Sequence, residues 1–309
     1  MATPGTKWEN SKSTNKIQVI VAGFAGNIPA TITYNLHPLE LHGQDSCMGS
    51  NDALGGIASV QKAFALLDVV AGHRNGASAK DIATALDMPV PTVYRMLKTL
   101  VASGHLVHLR QESLYGLGYK LHALDNSLRR QVGTPPAVAR LIHDLHLNAN
   151  AASYYAVHRG EDIIVAYVVD SPQRPRITPM GFGFNDAAHA TAFGKVLLAA
   201  MDPEQRESYL RRHGQPAMTD HTITEPDALA AELHSVTETG TAVEKEEFIY
   251  GASCMAAPVT NLAGQTVGSV AVSLPPTELP AQSEHITRVL RDTAGKVRNA
   301  LRGTSILPR

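Results

Sequence analysis

Cysteine is scarce in this sequence, which contains only Cys47 and Cys254 among its 309 residues. Two thiols so far apart provide neither the disulfide framework of a small secreted domain nor the spacing of a zinc motif. The fourteen histidines are scattered, and the pairs in "HLVH" and "LIHDLH" have no neighbouring ligand set that would complete a metal site. The sequence therefore predicts no metal, no cofactor and a reducing, cytoplasmic location.

Long apolar runs are lacking as well. No run reaches the ~18 residues that a membrane-spanning helix requires. The apolar stretch at residues 17–32 is interrupted by glycine, asparagine and proline. It also lacks the basic, apolar and cleavage regions of a signal peptide in their usual order. We therefore predict that no membrane is among the partners of this chain.

A strong net charge of either sign is also missing, since the formal net charge is −1. The balance differs along the chain. Residues 55–132 contain nine Lys and Arg against five Asp and Glu, whereas residues 133–309 contain fifteen against nineteen. A locally basic segment beside an acidic one is typical of a nucleic-acid module joined to a second domain.

Residues 1–54 carry no sustained helical periodicity and run into the polar, glycine-rich segment "GQDSCMGSNDALGG". This composition favours a disordered or irregular N-terminal extension. A second interpretation is that the natural start is Met48 and that residues 1–47 come from an over-extended reading frame. In both interpretations the first domain begins at residue 55.

Residues 55–120 predict three short helices and a β-hairpin, which together make a winged helix-turn-helix. Apolar residues recur at helical spacing in "ASVQKAFALLDVVAGH", "ASAKDIATALDM" and "VPTVYRMLKTLVASGH". Ser59 and Ser78 are the predicted N-caps of the first two helices, and Pro91 suits the first turn of the third. The segment "LVHLRQESLYGLGYKL" then predicts two strands around a polar turn.

The third helix is predicted to present a polar face to solvent. Cations and hydrogen-bonding groups on one helical face suit contact with phosphates and base edges. The residues predicted to contact DNA are Lys62, Thr92, Tyr94, Arg95, Lys98 and Arg110. The alternative left open at this point is a small helical core without a DNA role.

Residues 121–134 predict a linker helix, and residues 135–304 predict helices around antiparallel hairpins, so the fold class is α+β. The hairpin turns are expected at residues 159–162 and 262–265. A short strand is expected in "RITPMG", and a later helix is expected to be capped by Asp202. The last helix is expected at residues 282–301.

The stretch "AHATAFGKVLLA" at residues 188–199 places Gly194 and Lys195 before an apolar helical run, as a phosphate-binding loop does. That loop requires a first glycine where this chain has His189, and a hydroxyl where it has Val196. A nucleoside triphosphate site is therefore excluded. A helix start still presents free N–H groups, which suit a small anion such as a carboxylate.

Five segments in this order resemble the IclR family of bacterial transcriptional regulators: "SVQKAFALLD", "PTVYRMLKTLVASGHL", "YGLGYKLHAL", "HATAFGKVLLA" and "EEFIYGASCMAAPVTNLAGQTVGSVAVS". The resemblance covers roughly residues 56–302. It implies a winged helix-turn-helix, a linker helix and a C-terminal effector-binding domain related to GAF-like small-molecule sensors. It also implies a homodimer or dimer of dimers on palindromic operator DNA, with a small carboxylic acid as effector.

The same resemblance implies an effector pocket at the start of the "HATAFGKVLLA" helix and on later strands. Carried over position by position, the pocket residues are Thr191, Ala192, Phe193, Gly194, Glu244, Cys254, Ala271 and Ser273. Glu244 stands where the family commonly has aspartate. A charged Glu244 would repel an anion, so we predict a monocarboxylic acid that also bears a hydroxyl. Lys195 is expected to be structural, with its ammonium extending to solvent.

Two other functions fit parts of the sequence. An enzyme would use Cys254 as nucleophile and His189 as base. Cys254 begins the apolar strand "CMAAPV", however, where a cysteine is a small buried hydrophobe, so we predict that the chain is not an enzyme. The remaining alternative is a DNA-binding regulator without an effector, whose C-terminal domain only oligomerises.

Overall fold

A computed structural model of the chain describes residues 16–21, 30–35 and 57–302. The chain divides into two compact units on either side of the bond between Gly118 and Tyr119. Strands β1 (Lys16–Val21) and β2 (Ala30–Asn35) pair antiparallel. The rest of residues 1–54 lies outside the described residues, so the irregular extension expected there stays a prediction.

Three helices and a hairpin make up residues 57–118, as the sequence predicts. They are α1 (Ala58–Gly72), α2 (Ala79–Ala85), α3 (Val90–Ala102), β3 (Leu106–Leu109) and β4 (Leu114–Leu117). The predicted cap of α2 is confirmed, because Ser78 Oγ accepts the Asp81 N–H and the Asp81 carboxylate accepts the Ser78 N–H. The predicted Ser59 cap of α1 is wrong. The helix begins at Ala58, which places Ser59 inside the first turn.

One apolar cluster holds this N-terminal unit together. Its members include Leu66, Ile82, Val93, Leu97 and Leu106, each at most 2% exposed. Each such side chain contributes about 1.5–3 kcal/mol when fully buried. Tyr115 of β4 exchanges two backbone hydrogen bonds with Ala77 just before α2, which ties the hairpin to the helices. The packing fixes which side of α3 is buried and therefore which side faces outward.

The predicted linker helix is observed as α4 (Lys120–Val132). None of its residues is buried within the described chain. Arg129 pairs with Asp125 one turn earlier at 2.8 Å. The helix ends at Gly133, whose φ of 61° is a left-handed conformation that glycine adopts without strain.

A five-stranded antiparallel sheet lies at the centre of the C-terminal unit, which confirms the α+β class. In the order β6-β5-β9-β8-β7, its strands are Asp162–Val169, Ala152–Arg159, Thr266–Leu274, Ser253–Thr260 and Ala242–Lys245. The two predicted hairpins are β5–β6 and β8–β9. The four-residue edge strand β7 is not predicted by the sequence, because it is too short to show an alternating pattern.

Helices cover both faces of this sheet. On one face, α5 (Pro136–Ala149) and α9 (Leu279–Leu301) share a buried cluster with strand residues such as Tyr155 and Val272. On the other face, α6 (Ala192–Ala200) and α8 (Pro226–Thr239) share a cluster that includes Tyr154 and Ala271. The sheet is therefore the middle of three layers.

Three predicted details of this unit are tested by the helices and loops. α7 (Pro203–His213) begins after Asp202, whose carboxylate accepts the Gln205 N–H at 2.9 Å, as predicted for a cap. The strand predicted in "RITPMG" is wrong: residues 176–181 form no strand, and Pro179 among them cannot donate to a strand ladder. α9 begins three residues earlier than expected, with a proline in its first turn.

No helix of the described residues is long and apolar enough to span a bilayer.

Candidate functional site

α3 presents a polar face opposite its buried one. Val93 and Leu97 point into the core, whereas Tyr94, Arg95 and Lys98 are exposed. Residues three or four apart are neighbours on a helix surface, so these three side chains form one continuous patch. The patch carries two cations and a phenol, and about half of the Tyr94 side chain is open to solvent.

A groove of about 740 Å³ lies between α1 and α3. Three residues predicted to contact DNA line it, namely Lys62, Thr92 and Arg95. Arg95 donates to Thr92 Oγ1 at 3.4 Å, which holds the guanidinium beside that hydroxyl. Arg110 is exposed at the turn that follows β3. The structure thus brings Lys62, Thr92 and Arg95 together and leaves Arg110 on the hairpin.

In the C-terminal unit, the strand register brings predicted residues into one row. Glu244 of β7 lies opposite Cys254 of β8, and Cys254 lies opposite Ser273 of β9. Opposed residues of antiparallel strands point to the same face, and all three are buried. Ala271 lies two residues before Ser273 and faces the same side. Four of the predicted pocket residues, from three strands, therefore share the face that α6 covers.

Tyr154 of β5 lies opposite Ala271 on the same face, beside this row, and is not among the residues predicted from the sequence. Its hydroxyl lies 3.2 Å from Ser273 Oγ and accepts the Ile177 N–H at 3.0 Å. Burial raises the pKa of the Tyr154 hydroxyl, which therefore stays a neutral donor. Successive strand residues face opposite sides, so only one of the adjacent Tyr154 and Tyr155 can face the row. The hairpin turn predicted at residues 159–162 sets the register of β5 against β6, and this is the sequence signal that could have identified Tyr154.

The predicted helix start at α6 is confirmed, and Thr191 is its N-cap. Thr191 Oγ1 accepts the Gly194 N–H at 3.2 Å, and residues 191–194 are all buried. The N–H groups of Ala192 and Phe193 have no acceptor among the residues that the structure describes. Free N–H groups at a helix N-terminus are suited to a small anion.

Lys195 does not extend to solvent, so that expectation is wrong. Its side chain is fully buried, and Nζ lies 2.5 Å from Glu247 Oε1 and 3.4 Å from Glu232 Oε1. Residues 192–198 of α6 are buried on every side of the helix, so the lysine stem has no route along an exposed surface. The two carboxylates offset the cost of burying the ammonium.

Residues 181–184, which we call the 181–184 segment, connect the buried face to α4. Two backbone hydrogen bonds hold this segment to β6. Phe184 is buried and packs edge-on against Phe193, with 6.4 Å between ring centres. Phe182 lies beneath the Arg129 guanidinium of α4, 4.2 Å from its ring centre. The segment therefore contacts both the start of α6 and the linker helix.

Glu244 is buried without a partner. It is 0% exposed, and neither carboxylate oxygen has a hydrogen-bond partner in the described chain. The Cys254 thiol and the Glu247 N–H lie near the carboxyl but outside hydrogen-bond geometry. Burial, and then the neighbouring Glu247 carboxylate, raise the pKa of Glu244 to about 8. Glu244 is thus largely protonated at neutral pH.

This raised pKa makes stability depend on pH. Below pH 4.5 the Glu244 carboxyl is protonated in both the folded and the unfolded chain, and its contribution to stability is fully present. The contribution is lost as pH rises toward 8, because only the unfolded chain releases the proton. We expect Glu244→Gln to be more stable than the wild type by about 2–4 kcal/mol at pH 8 and equal to it near pH 4.

Urea unfolding at a series of pH values measures this difference. Glu238→Gln, at an exposed position of α8, is the matched control and should follow the wild type throughout. A constant difference between Glu244→Gln and the wild type from pH 4 to pH 8 would contradict the assignment.

The raised pKa of the Cys254 thiol does not support a thiol enzyme. Burial, and then Glu244, raise the pKa of the Cys254 thiol, whereas a nucleophilic cysteine needs a lowered pKa. His189 Nε2 lies 3.0 Å from the Pro216 carbonyl oxygen, and burial lowers the pKa of this imidazole. Within residues 57–302, no three His, Cys, Asp or Glu side chains are grouped to bind a metal.

Comparison with known proteins identifies a family domain in each of the two units. Residues 59–110 match the IclR helix-turn-helix domain, and residues 136–299 match the bacterial transcriptional regulator IclR C-terminal domain. The HTH-type transcriptional regulator BhcR of Paracoccus denitrificans is 29% identical over 235 residues, which is 75% of this chain and 82% of that protein.

Solved structures share the fold. A transcriptional regulator from Rhodococcus sp. RHA1 is 26% identical, with a TM-score of 0.65 over 81% of this chain and 100% of that chain. An IclR homologue from Microbacterium hydrocarbonoxydans, complexed with 4-hydroxybenzoate, has a TM-score of 0.65 at 20% identity over 80% of this chain and 100% of its own. Since both family domains match in order and together cover most of the described chain, the protein belongs to the IclR family of bacterial transcriptional regulators.

Proposed function

We propose that the chain is a ligand-responsive regulator that binds palindromic operator DNA as a homodimer or dimer of dimers, with an affinity that a small carboxylic acid changes. The observation that carries the DNA part is the exposed patch of Tyr94, Arg95 and Lys98 on α3 of a winged helix-turn-helix. The observation that carries the ligand part is the buried polar row beside the start of α6. The N-terminal extension and the domain limits at 55–120, 121–134 and 135–304 are part of the proposal.

α3 has the chemistry of a helix that enters a major groove. Arg95 and Lys98 supply cations for guanine edges or phosphates, and Tyr94 supplies a hydrogen-bonding group. Lys62 on α1 and Arg110 on the hairpin would contact flanking phosphates, with Thr92 next to Arg95. In a dimer the two α3 helices would lie about 34 Å apart, or a multiple of that distance, in successive major grooves.

Replacing Arg95 with alanine is expected to weaken operator binding by about 1–3 kcal/mol, with relaxed specificity at one base pair, when the guanidinium reads a base. A phosphate contact alone predicts a uniform loss across sequences and a salt slope lower by about 1. Sequencing DNA fragments captured by the purified protein identifies the operator, and fluorescence anisotropy at several salt concentrations then gives both quantities.

Lys296→Ala, an exposed position of α9, is the control and should bind the operator as the wild type does. Unchanged operator affinity in a folded Arg95→Ala protein would remove Arg95 from the interface. Equal losses in the two variants would indicate a general charge effect instead.

In the proposed ligand site, each group of residues would contact a different part of the bound acid. The free N–H groups of Ala192 and Phe193 would receive the carboxylate. Ser273, held by Tyr154, would add a hydroxyl donor. The remaining lining would consist of Thr191, Gly194, Glu244, Cys254 and Ala271. Thermal-shift measurements with 4-hydroxybenzoate, benzoate, glycolate and pyruvate test this assignment, with sugar phosphates and polyamines as ligands of the wrong charge.

Replacing Ser273 with alanine is expected to weaken binding of a stabilising acid by about 0.5–1.5 kcal/mol, or about twice that when the hydroxyl meets the carboxylate. Operator affinity of the ligand-free protein should stay unchanged. Ser253→Ala is the matched control, since Ser253 precedes Cys254 on β8 and faces the other side of the sheet. Titration calorimetry measures the affinities.

Two results would contradict this site. Stabilisation by phosphorylated or cationic ligands only, with Ser273→Ala having no effect, would overturn the proposed lining. Stabilisation by no small molecule, together with intact operator binding, would favour the effector-independent alternative, in which the C-terminal unit only oligomerises.

A further inference from the structure

The row of polar side chains contains one group whose role the proposed function leaves open. Ser273 is bonded to Tyr154, and Lys195 is bonded to Glu247 and Glu232. Glu244 has neither kind of partner, although its side chain is completely buried and faces the same side as Cys254 and Ser273. A buried carboxyl that makes no hydrogen bond to any other group of the described chain is available to a ligand.

The charged groups around Glu244 do not compensate a negative charge on it. Glu247, two residues beyond β7, repels a negative charge on Glu244, and so would an ionised Cys254 on β8. Lys195 on α6 is the cation that attracts it. Its ammonium is already within 3.4 Å of both Glu247 and Glu232 of α8. An uncompensated charge in a dry interior is costly, so the neutral acid is the favoured form.

A neutral carboxyl differs from a carboxylate in what it recognises. It has one O–H donor in addition to acceptor sites, whereas a carboxylate only accepts. An O–H that donates to an anionic oxygen makes a short, charge-assisted hydrogen bond. A neutral Glu244 would therefore attract an anion that a charged Glu244 would repel.

We propose that Glu244 binds the effector while its own carboxyl is neutral, by donating a hydrogen bond to an oxygen of the bound acid. This inference rests on the proposed function, since it assumes that a small acid binds on this face. It names the ligand class more closely, as an acid that places an acceptor oxygen (carboxylate or carbonyl) against β7. A ligand hydroxyl is expected only when Glu244 is charged, so a neutral Glu244 makes that hydroxyl unnecessary.

The test is the pH dependence of binding. Dissociation constants of benzoate, 4-hydroxybenzoate, glycolate and pyruvate are measured from pH 6.5 to pH 9.5 for the wild type, Glu244→Gln and Tyr154→Phe. In the wild type, the dissociation constant should be level at low pH and rise above about pH 8, approaching tenfold per pH unit for loss of one proton. The amide of Glu244→Gln also donates but does not titrate, so this rise should disappear. Tyr154→Phe should bind more weakly and keep the rise.

A second measurement uses only the wild type and covers the case in which Glu244→Gln does not fold. At pH 9 the free site has lost its proton and must take one up to bind the acid. Calorimetry in two buffers of different ionisation enthalpy should therefore give uptake of nearly one proton per site at pH 9 and almost none at pH 6.5. Benzoate and glycolate serve here, because their carboxylates stay ionised throughout this range.

The outcomes separate the two proposals. If an acid binds but shows the same pH dependence in the wild type and Glu244→Gln, or no proton uptake at pH 9, Glu244 does not act as a neutral donor and the proposed function stands. If none of the four acids binds at any pH, the proposed acid site itself is wrong.

Discussion

Replacing Lys195 with methionine is expected to destabilise the C-terminal unit by about 3–5 kcal/mol, because it leaves Glu247 buried without its cation. The ion pair between Lys195 and Glu247 is 2.5 Å long, and both side chains are almost completely buried. Burial raises the pKa of Glu247, and Lys195 is the main group that opposes this rise. Urea unfolding followed by circular dichroism measures the loss.

Two controls separate loss of the pair from loss of a lysine. The double variant Lys195→Met, Glu247→Leu removes both charges and should recover most of the stability, since a buried ion pair is often replaced by apolar groups at little cost. Lys296→Met, in an exposed pair with Asp292, should change little. A double variant as unstable as the single one would show that the unpaired Glu247 carboxylate is not the cause of the loss.

Replacing Gly194 with alanine is expected to cost more than about 4 kcal/mol and to leave the C-terminal unit largely unfolded at moderate urea concentrations. A Cβ at this position would overlap the carbonyl oxygen and the Cα of Ala188, and would lie 2.5 Å from Thr191 Oγ1. Ala188 is in the short 3₁₀ helix that precedes α6, so the obstacle is backbone and cannot rotate away. The clash would also displace the hydroxyl that caps α6.

Gly295→Ala in α9 is the matched control, because an added Cβ there meets nothing within 4 Å. Alanine is the better helix former, so this variant should gain roughly 0.5–1 kcal/mol. Circular dichroism melts of both variants test the comparison. A Gly194→Ala protein as stable as the wild type would show that the turn between Ala188 and α6 adjusts freely.

Gly194 and Lys195 also show what the sequence can and cannot predict. The glycine and lysine of "HATAFGKVLLA" suggest a phosphate-binding loop, and fixed spacing is enough to exclude one. Gly194 is instead required by the close approach of Ala188, and Lys195 by a carboxylate 52 residues later in the chain. Close approach and pairing of this kind depend on the packed unit, so no local pattern reports them.

Local signals predict local structure well. The Ser78 cap, the Asp202 cap and the exposed face of α3 each depend on residues within one or two turns, and the structure contains all three. The row of Glu244, Cys254 and Ser273 follows from family resemblance, but its connection to Tyr154 depends on strand register. The isolation of Glu244 depends on which neighbours are already bonded, which only the structure reveals.

The 181–184 segment has a consequence for which acids would act as signals. A ligand that displaces the Phe193 ring would disturb its edge-on contact with Phe184. Phe182 lies on the same short segment, so a shift of that segment would also change the contact between its ring and Arg129. Along the chain, α4 follows the N-terminal unit directly. The effect of a ligand on DNA binding would then depend on ligand size. An acid small enough to leave Phe193 in place would occupy the site without changing DNA affinity and would compete with larger acids.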